Sequence, residues 1–196
     1  MTPFTLLNHI IPSKTRRKIL ELFYLRPNEM FYLRKIVREI DEEVNAVKRE
    51  LDILEDAKVL IRERRLNKVF YTLNHGWIYY DEFLRIYTKS SPLAVLLHER
   101  QSVLGKVKFV ALSTKYLKKT PLKNDEIHFI AIGTLVVPEV ERLIEEAERL
   151  YGTEINFTVM TEDEFIFRKK NNDPFLWRFL RYPKVLLIGT EDELMK

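Results

Sequence analysis

The chain has 196 residues, of which 46% are apolar and 32% are charged, and it contains no cysteine. This length accommodates one large domain or two small ones, and the apolar fraction is sufficient for folded cores. The lack of cysteine excludes disulfides and thiolate metal sites from these residues. No apolar run approaches the roughly 20 residues that span a bilayer, and Met1–Pro12 lacks the features of a signal peptide. We therefore expect a soluble cytoplasmic protein.

The net charge of +4 is unevenly distributed. Residues 1–90 carry 17 Lys and Arg against 13 Asp and Glu, whereas residues 91–196 carry 16 of each. A local positive excess is the electrostatic footprint of a nucleic-acid binder, although chance also produces an excess of this size. The single glutamine, the absent cysteine and the many Glu, Lys and Arg residues are typical of a thermophile.

The N-terminal part begins with residues 1–12, for which we expect an extended arm or a packed tail. Apolar positions and the Arg26-Pro27-Asn28 stop predict a helix over Lys14–Leu25. Met30-Phe31-Tyr32 is expected to be a short extended segment that pairs with a later hairpin.

The stretch from Leu33 to Leu73 predicts two helices and a hairpin. Two apolar sets recur at intervals of 3 and 4 residues, which places each set on one helical face. They are Leu33, Ile36, Val37 and Ile40, then Val44, Val47, Leu51 and Leu54. Asp41-Glu42-Glu43 is expected to cap the second helix. The segments Lys58–Glu63 and Lys68–Leu73 are predicted strands, and the turn Arg64–Asn67 joins them.

This stretch resembles the winged helix-turn-helix transcriptional regulators of the arsenic-sensor and multiple-antibiotic-resistance type. The resemblance rests on Tyr32–Ile40, Val44–Glu55, Val59–Ile61 and Phe70–Asn74, which is less than half of the chain. It implies a DNA-binding unit whose second helix enters the major groove. Many winged helices bind protein instead, so a protein-binding role stays open.

We expect three groups of residues to contact DNA. Asn45, Lys48 and Arg49, together with the exposed Asp52, lie where the second helix would meet base edges. Phosphate contacts are expected from the preceding helix and from the wing. These residues are Arg34, Lys35 and Arg38, then Arg64, Arg65, Asn67 and Lys68. Lys14, Arg16, Arg17 and Lys18 would form a flank. The acidic Asp41–Glu43 segment would oppose DNA unless it points away.

An aromatic-rich helix is predicted over His75–Lys89. It would pack either on a partner chain or the second domain, or on its own domain.

The Lys89–Pro92 segment is the predicted domain boundary, which gives domains of residues 1–90 and 91–196. The second half alternates helices and strands and predicts a small α/β domain on a mixed sheet. The predicted strands are 106–113, 127–132, 155–160 and 184–188. The predicted helices are 93–104, 138–150, one opened by Thr161–Glu164, one near 173–180, and a final turn. The fold class is therefore α+β.

Residues 93–194 resemble the minimal nucleotidyltransferase domains of the DNA polymerase β superfamily. The resemblance rests on Thr161–Phe165, Asp173-Pro174-Phe175 and Val185–Gly189, in that order. It implies a Gly-Ser turn, an Asp-x-Asp pair and a third carboxylate that hold two magnesium ions. Here the corresponding positions hold Ala111-Leu112-Ser113, Glu126-Ile127-His128 and Asn156. Because magnesium prefers carboxylate oxygens, we expect no catalytic residues, no metal and no cofactor, with Ser113, Glu126, His128 and Asn156 as degenerate positions.

Two weaker hypotheses concern the same region. Glu126 and His128 share a predicted strand face and suit a transition metal, but two ligands are too few. The loop lysines suit nucleotide phosphates, although a solvated loop is the commoner role of such a run. They are Lys115, Lys118, Lys119 and Lys123.

The favoured hypothesis is a regulator, and two rivals remain. It is a homodimeric regulator that binds double-stranded DNA, with a catalytically inactive second domain used for dimerisation or for sensing a nucleotide or protein ligand. One rival is an atypical Mg-dependent nucleotidyltransferase of the toxin–antitoxin type. The other is a protein-interaction module that uses the helix around Trp77–Tyr87 and binds no nucleic acid.

Overall fold

The computed structural model describes the backbone of residues 3–118, 120 and 126–196, with side chains from Leu7 onward. The protein is a mixed α+β structure with two β-sheets. The chain divides into two compact units, Met1–Ser90 and Ser91–Lys196. Within the described residues, no helix has both the length and the apolar character that a membrane span needs.

The first unit combines helices with a three-stranded antiparallel sheet. Its helices are α1 (Pro3–Ile10), α2 (Lys14–Leu25), α3 (Leu33–Ile40), α4 (Val44–Asp56) and α5 (Tyr80–Lys89). Its strands are β1 (Phe31–Tyr32), β2 (Leu60–Arg65) and β3 (Lys68–Leu73), in the order β1-β3-β2. The predicted helix at Lys14–Leu25 and the pairing of the short extended segment with the hairpin are confirmed. The expectation of an extended N-terminal arm is wrong, since α1 is helical.

The core of this unit forms where the apolar faces of α2, α3 and α4 meet. Ile19, Ile36, Val47 and Leu51 are each fully buried, as their helical spacing predicts. Val44 belongs to the same spacing but is 42% exposed, because it is the first residue of α4 and lies beyond the packed part of the helix.

The hairpin differs from its prediction in the position of its turn. β2 begins at Leu60 and continues through Arg65, so the connection to β3 is only Leu66-Asn67. Arg64 and Arg65 therefore belong to a strand, and their predicted place in the turn is wrong. Lys58 has a left-handed backbone (φ 62°), which delays the start of β2 relative to the sequence pattern.

The aromatic helix begins five residues later than predicted. Asn74 forms a turn before it, since its side chain accepts from the Gly76 amide at 3.0 Å. The helix α5 then packs on α2, where the rings of Tyr24 and Tyr87 stack with centroids 5.2 Å apart. The aromatic face of α5 is thus covered within its own unit.

The second unit is built on a four-stranded sheet. Its helices are α6 (Pro92–Glu99), α7 (Thr114–Leu117), α8 (Val137–Tyr151), α9 (Glu162–Lys170), α10 (Pro174–Arg181) and α11 (Glu191–Met195). Its strands are β4 (Gly105–Ser113), β5 (Phe129–Leu135), β6 (Phe157–Met160) and β7 (Lys184–Ile188). The order is β6-β5-β4-β7, and among neighbouring described strands β5 and β6 pair in parallel, whereas β4 pairs antiparallel with β5 and with β7. The prediction of a mixed sheet is confirmed.

One face of this sheet packs against α9, α10 and α11. Its strand residues include Phe109, Ala111, Ile130 and Ile132, which meet helical side chains such as Leu176. Alternation along the strands turns the intervening residues to the opposite face. The helices α6 and α8 pack against each other and contribute no residue to this cluster.

Candidate nucleic-acid interface

The exposed face of α4 carries charges of both signs. Lys48, Arg49 and Asp52 are exposed, opposite the buried Val47 and Leu51. The cations lie in the first half of the helix, whereas Asp52 and Asp56 lie in the second half. A negatively charged ligand would therefore meet the N-terminal half of α4.

The N-terminus of α4 is closed by a carboxylate cap. Glu43 accepts a hydrogen bond from the Ala46 amide at 2.9 Å, and it also accepts from the Asn45 side-chain amide at 3.0 Å. Hydrogen bonds from the backbone amides of Asn45 and then Ala46 are the largest causes that lower the pKa of the Glu43 carboxyl, and the Asn45 side chain contributes least. Asn45 is exposed, but its amide is held by this cap and would have to leave it to contact a base.

In the acidic segment before α4, Glu42 is paired with two lysines, whereas Asp41 is exposed. Glu42 forms ion pairs with Lys18 at 2.7 Å and with Lys14 at 2.9 Å. Hydrogen bonds from Lys18 and then Lys14 lower the pKa of Glu42 to about 2. Glu50 engages Arg16 in the same way, at 2.7 Å. The predicted basic flank is therefore used in internal contacts.

The helix α3 presents two cations on one side. Arg34 and Arg38 are exposed and four residues apart, so they project from the same helical face. Lys35 differs, because its Nζ lies 3.8 Å from Glu29 and 4.6 Å from the ring centroid of Phe31.

The hairpin divides its cations between its two faces. Arg65 donates to both carboxylate oxygens of Glu63 at 2.9 Å, and Lys68 lies 4.7 Å from the ring centroid of Tyr32. Arg64 is exposed, and strand alternation turns it to the face opposite Arg65. Asn67 lies in the exposed two-residue turn.

The structure thus separates the predicted DNA contacts into two groups. Lys35, Asn45, Arg65 and Lys68 have contacts within the unit. A second set is exposed and has no hydrogen bond or ion pair to any residue that the structure describes. It comprises five cations, Arg34, Arg38, Lys48, Arg49 and Arg64, and the uncharged Asn67 of the β2–β3 turn. The five cations come from α3, α4 and β2, and α4 packs against both of the other elements.

In the second unit, the positions compared with a nucleotidyltransferase site lie at the end of β4 and before β5. Ser113 is buried and caps α7, where its Oγ accepts from the Lys115 amide at 3.2 Å. Lys115 in turn places its Nζ 2.7 and 2.8 Å from the two carboxylate oxygens of the buried Glu126. The space left beside this pair has a volume of only about 10 Å³.

The contact between His128 and Asn156 is a hydrogen bond from the Asn156 backbone amide to the His128 ring, and it is not an arrangement of metal ligands. The His128 Nδ1 accepts from the Asn156 amide at 3.1 Å, and burial lowers the pKa of His128. Glu126 and His128 precede β5, so the prediction that they share a strand face is wrong. Across residues 3–118, 120 and 126–196, no group of three His, Asp or Glu side chains is arranged to hold a metal ion.

The loop lysines are also separated. Lys115 belongs to α7 and pairs with Glu126. Lys118 is the C-cap residue of the same helix. Lys119 and Lys123 lie outside the described residues, as does Asp125. Sequence inspection missed the Lys115–Glu126 pair, since no periodicity connects a residue of α7 to one that precedes β5.

Comparison with family models, with curated proteins and with solved structures finds no match to this chain in any of the three.

Proposed function

We propose that this protein is a DNA-binding transcriptional regulator whose first unit is a winged helix-turn-helix. In this proposal α3 and α4 form the helix-turn-helix, α4 enters the major groove, and the β2–β3 hairpin is the wing. The order of α2, β1, α3, α4, β2 and β3, with β1 completing the sheet, supports this assignment.

The observation that carries the proposal is that Arg34, Arg38, Lys48, Arg49 and Arg64 are exposed and have no hydrogen-bond or ion-pair partner in the part of the chain that the structure describes. Neighbouring cations on the same unit are already paired with Glu42, Glu50 or Glu63. The unpaired set lies on the three elements that a winged helix applies to DNA. Phosphates would supply the missing partners, and Lys48 and Arg49 would lie closest to base edges.

The regulator is expected to be a homodimer. One winged helix contacts a short half-site, and two-fold pairing would extend the site to a palindrome. Sedimentation equilibrium of the full chain tests this part of the proposal, since a protein that stays monomeric at the concentrations that bind DNA would exclude it.

The second unit is proposed to be a nucleotidyltransferase relative without transfer activity. The Lys115–Glu126 ion pair supports this proposal. Glu126 is the one carboxylate among Ser113, Glu126, His128 and Asn156, the positions compared with a magnesium site, and Lys115 already binds it. An active enzyme would need that carboxylate for magnesium. Transfer of label from ATP that requires magnesium and is lost in Glu126→Gln would overturn this part and favour the enzyme hypothesis.

The DNA-binding proposal is tested by comparing two double variants in a fluorescence-anisotropy titration of random duplex DNA. Lys48→Ala/Arg49→Ala removes two cations of α4. Arg85→Ala/Lys89→Ala removes two exposed cations of α5 and changes the net charge equally. We expect the α4 variant to weaken binding at least about tenfold and the α5 variant to bind like the wild type. Equal losses in both would show that binding follows net charge alone.

A further inference from the structure

The second unit contains a cavity that the proposed function does not use. It has a volume of about 940 Å³ and lies between β4, β5, α9, α10 and the C-terminal residues from α11 onward. None of its lining residues belongs to the small space beside Lys115 and Glu126. The volume is at the upper end of the range for small-molecule sites.

Half of the residues that line the cavity are apolar, and three of these are aromatic. Phe109 and Phe165 are 3% and 5% exposed, and they meet in a tilted arrangement with centroids 6.4 Å apart. Trp177 is partly buried against the same cluster. Its indole N–H donates to the Lys169 carbonyl at 3.2 Å, which fixes the ring while leaving it on the cavity wall. A flat apolar group would find extended contact area here.

The charged side chains that line the cavity have a positive excess. The lining includes Lys108, Lys169, Lys170 and Lys196 against two carboxylates, Glu162 and Glu193. Lys108 is paired with Glu162, and Lys169 donates to the Leu194 carbonyl at 2.9 Å.

Lys170 and Lys196 complete the rim. Both are exposed, and neither has a hydrogen bond or ion pair to another side chain in the part of the chain that the structure describes. The two are therefore available to meet an anionic group at the mouth of the cavity.

We propose that this cavity binds a small organic anion with a flat apolar body, the body against Trp177 and Phe165 and the anionic group at Lys170 and Lys196. A bare inorganic anion would leave the aromatic wall uncovered. A neutral apolar molecule would leave the positive excess uncompensated. The inference stands on the second unit alone, so it holds or fails separately from DNA binding.

The test uses 8-anilinonaphthalene-1-sulfonate as the fluorescent probe, in a full-length Trp77→Phe variant whose remaining tryptophan is Trp177. We expect probe emission to rise on binding, with energy transfer from Trp177. Three competitors separate the parts of the proposal: 2-naphthoate, the uncharged 2-naphthalenemethanol, and inorganic sulfate. We expect 2-naphthoate to displace the probe at least about tenfold more effectively than either of the others.

A matched pair of charge variants locates the site. Lys170→Glu/Lys196→Glu reverses the two rim cations, and Arg142→Glu/Arg149→Glu makes the same change of net charge on α8. Circular dichroism confirms folding of both. We expect the rim variant to weaken 2-naphthoate binding about tenfold or more and the α8 variant to leave it within twofold.

Each remaining outcome overturns the proposal. Absence of probe binding rejects the site itself. Equal displacement by 2-naphthalenemethanol rejects the role of charge, and equal displacement by sulfate rejects the role of the aromatic wall. Equal effects of the two charge variants, or no energy transfer from Trp177, place the bound probe elsewhere.

Discussion

Lys115 and Glu126 form a bidentate ion pair, with N–O distances of 2.7 and 2.8 Å. The Glu126 side chain is 4% exposed and that of Lys115 is 19% exposed, so both charges are largely removed from water. A buried pair of this kind need not stabilise the fold strongly, but the loss of one partner leaves an uncompensated charge.

We predict that Lys115→Met destabilises the protein by about 3 kcal/mol or more, because it leaves the Glu126 carboxylate buried without its cation. The double variant Lys115→Met/Glu126→Leu is expected to recover most of this loss. Urea unfolding of the wild type, both single variants and the double variant provides the measurement. Additive effects of the two single changes would show that the pair is not coupled.

The hairpin offers a matched pair of arginines. Arg65 is held by Glu63, whereas Arg64 is exposed and has no such partner among the described residues. If the hairpin contacts DNA as proposed, Arg64→Ala weakens binding of duplex DNA more than Arg65→Ala does. It also lowers the slope of log affinity against log salt by about 1. A larger effect of Arg65→Ala in the same anisotropy titration would show that Arg65 leaves Glu63 to bind DNA.

The Glu42 contacts predict a pH dependence of stability. The pKa of Glu42 is lowered from 4.5 to about 2 by hydrogen bonds from Lys18 and Lys14. A folded-state pKa below the unfolded value means that the contribution is present above about pH 4.5 and is lost as pH falls toward 2. We expect Glu42→Gln to unfold at lower urea concentration at neutral pH and to lose less stability than the wild type on acidification. An unchanged acid profile would show that this carboxyl does not contribute.

Two glycines with positive φ differ in what surrounds them. At Gly133 (φ 149°), an added Cβ would lie 2.1 Å from the Lys106 carbonyl oxygen. At Gly152 (φ 62°), the C-cap of α8, it would meet no atom within 4 Å. We predict that Gly133→Ala lowers the free energy of unfolding by about 3 kcal/mol or more, and that Gly152→Ala lowers it by about 1 kcal/mol. The pairing of β4 with β5 shifts register between Val107 and Phe109, next to Gly133. Similar costs at the two positions would show that this irregular pairing relaxes to accept a side chain.

Sequence patterning predicted the elements whose structure depends on local periodicity. The helix over Lys14–Leu25 and the strand over Lys184–Ile188 have their predicted bounds, because caps and apolar spacing lie within the same few residues. Gly152 follows α8 with a left-handed backbone, the conformation in which glycine commonly ends a helix. Leu150 keeps the apolar spacing of α8 but is 59% exposed, since it lies at the end of the helix.

The parts that escaped prediction depend on side-chain partners distant in sequence. The start of α5 depends on Asn74, whose amide donates to the Lys58 carbonyl at 2.8 Å. Which cations remain unpaired depends on Glu42, Glu50 and Glu63. The charge pattern shows that α3 and the hairpin are basic and that α4 carries charges of both signs. Only the folded structure shows that Lys18 and Arg65 are already paired.

The salt dependence of wild-type binding to random duplex DNA tests the central proposal most directly. If the five cations Arg34, Arg38, Lys48, Arg49 and Arg64 neutralise phosphates, they release counterions and give a slope of log affinity against log salt of about −4.5 per protomer. Anisotropy titrations between roughly 50 and 200 mM salt measure this slope. A steep negative slope that becomes shallower in Lys48→Ala/Arg49→Ala is the predicted result. No binding at the lowest salt, or an affinity that does not change with salt, would contradict the account and direct the search to protein partners.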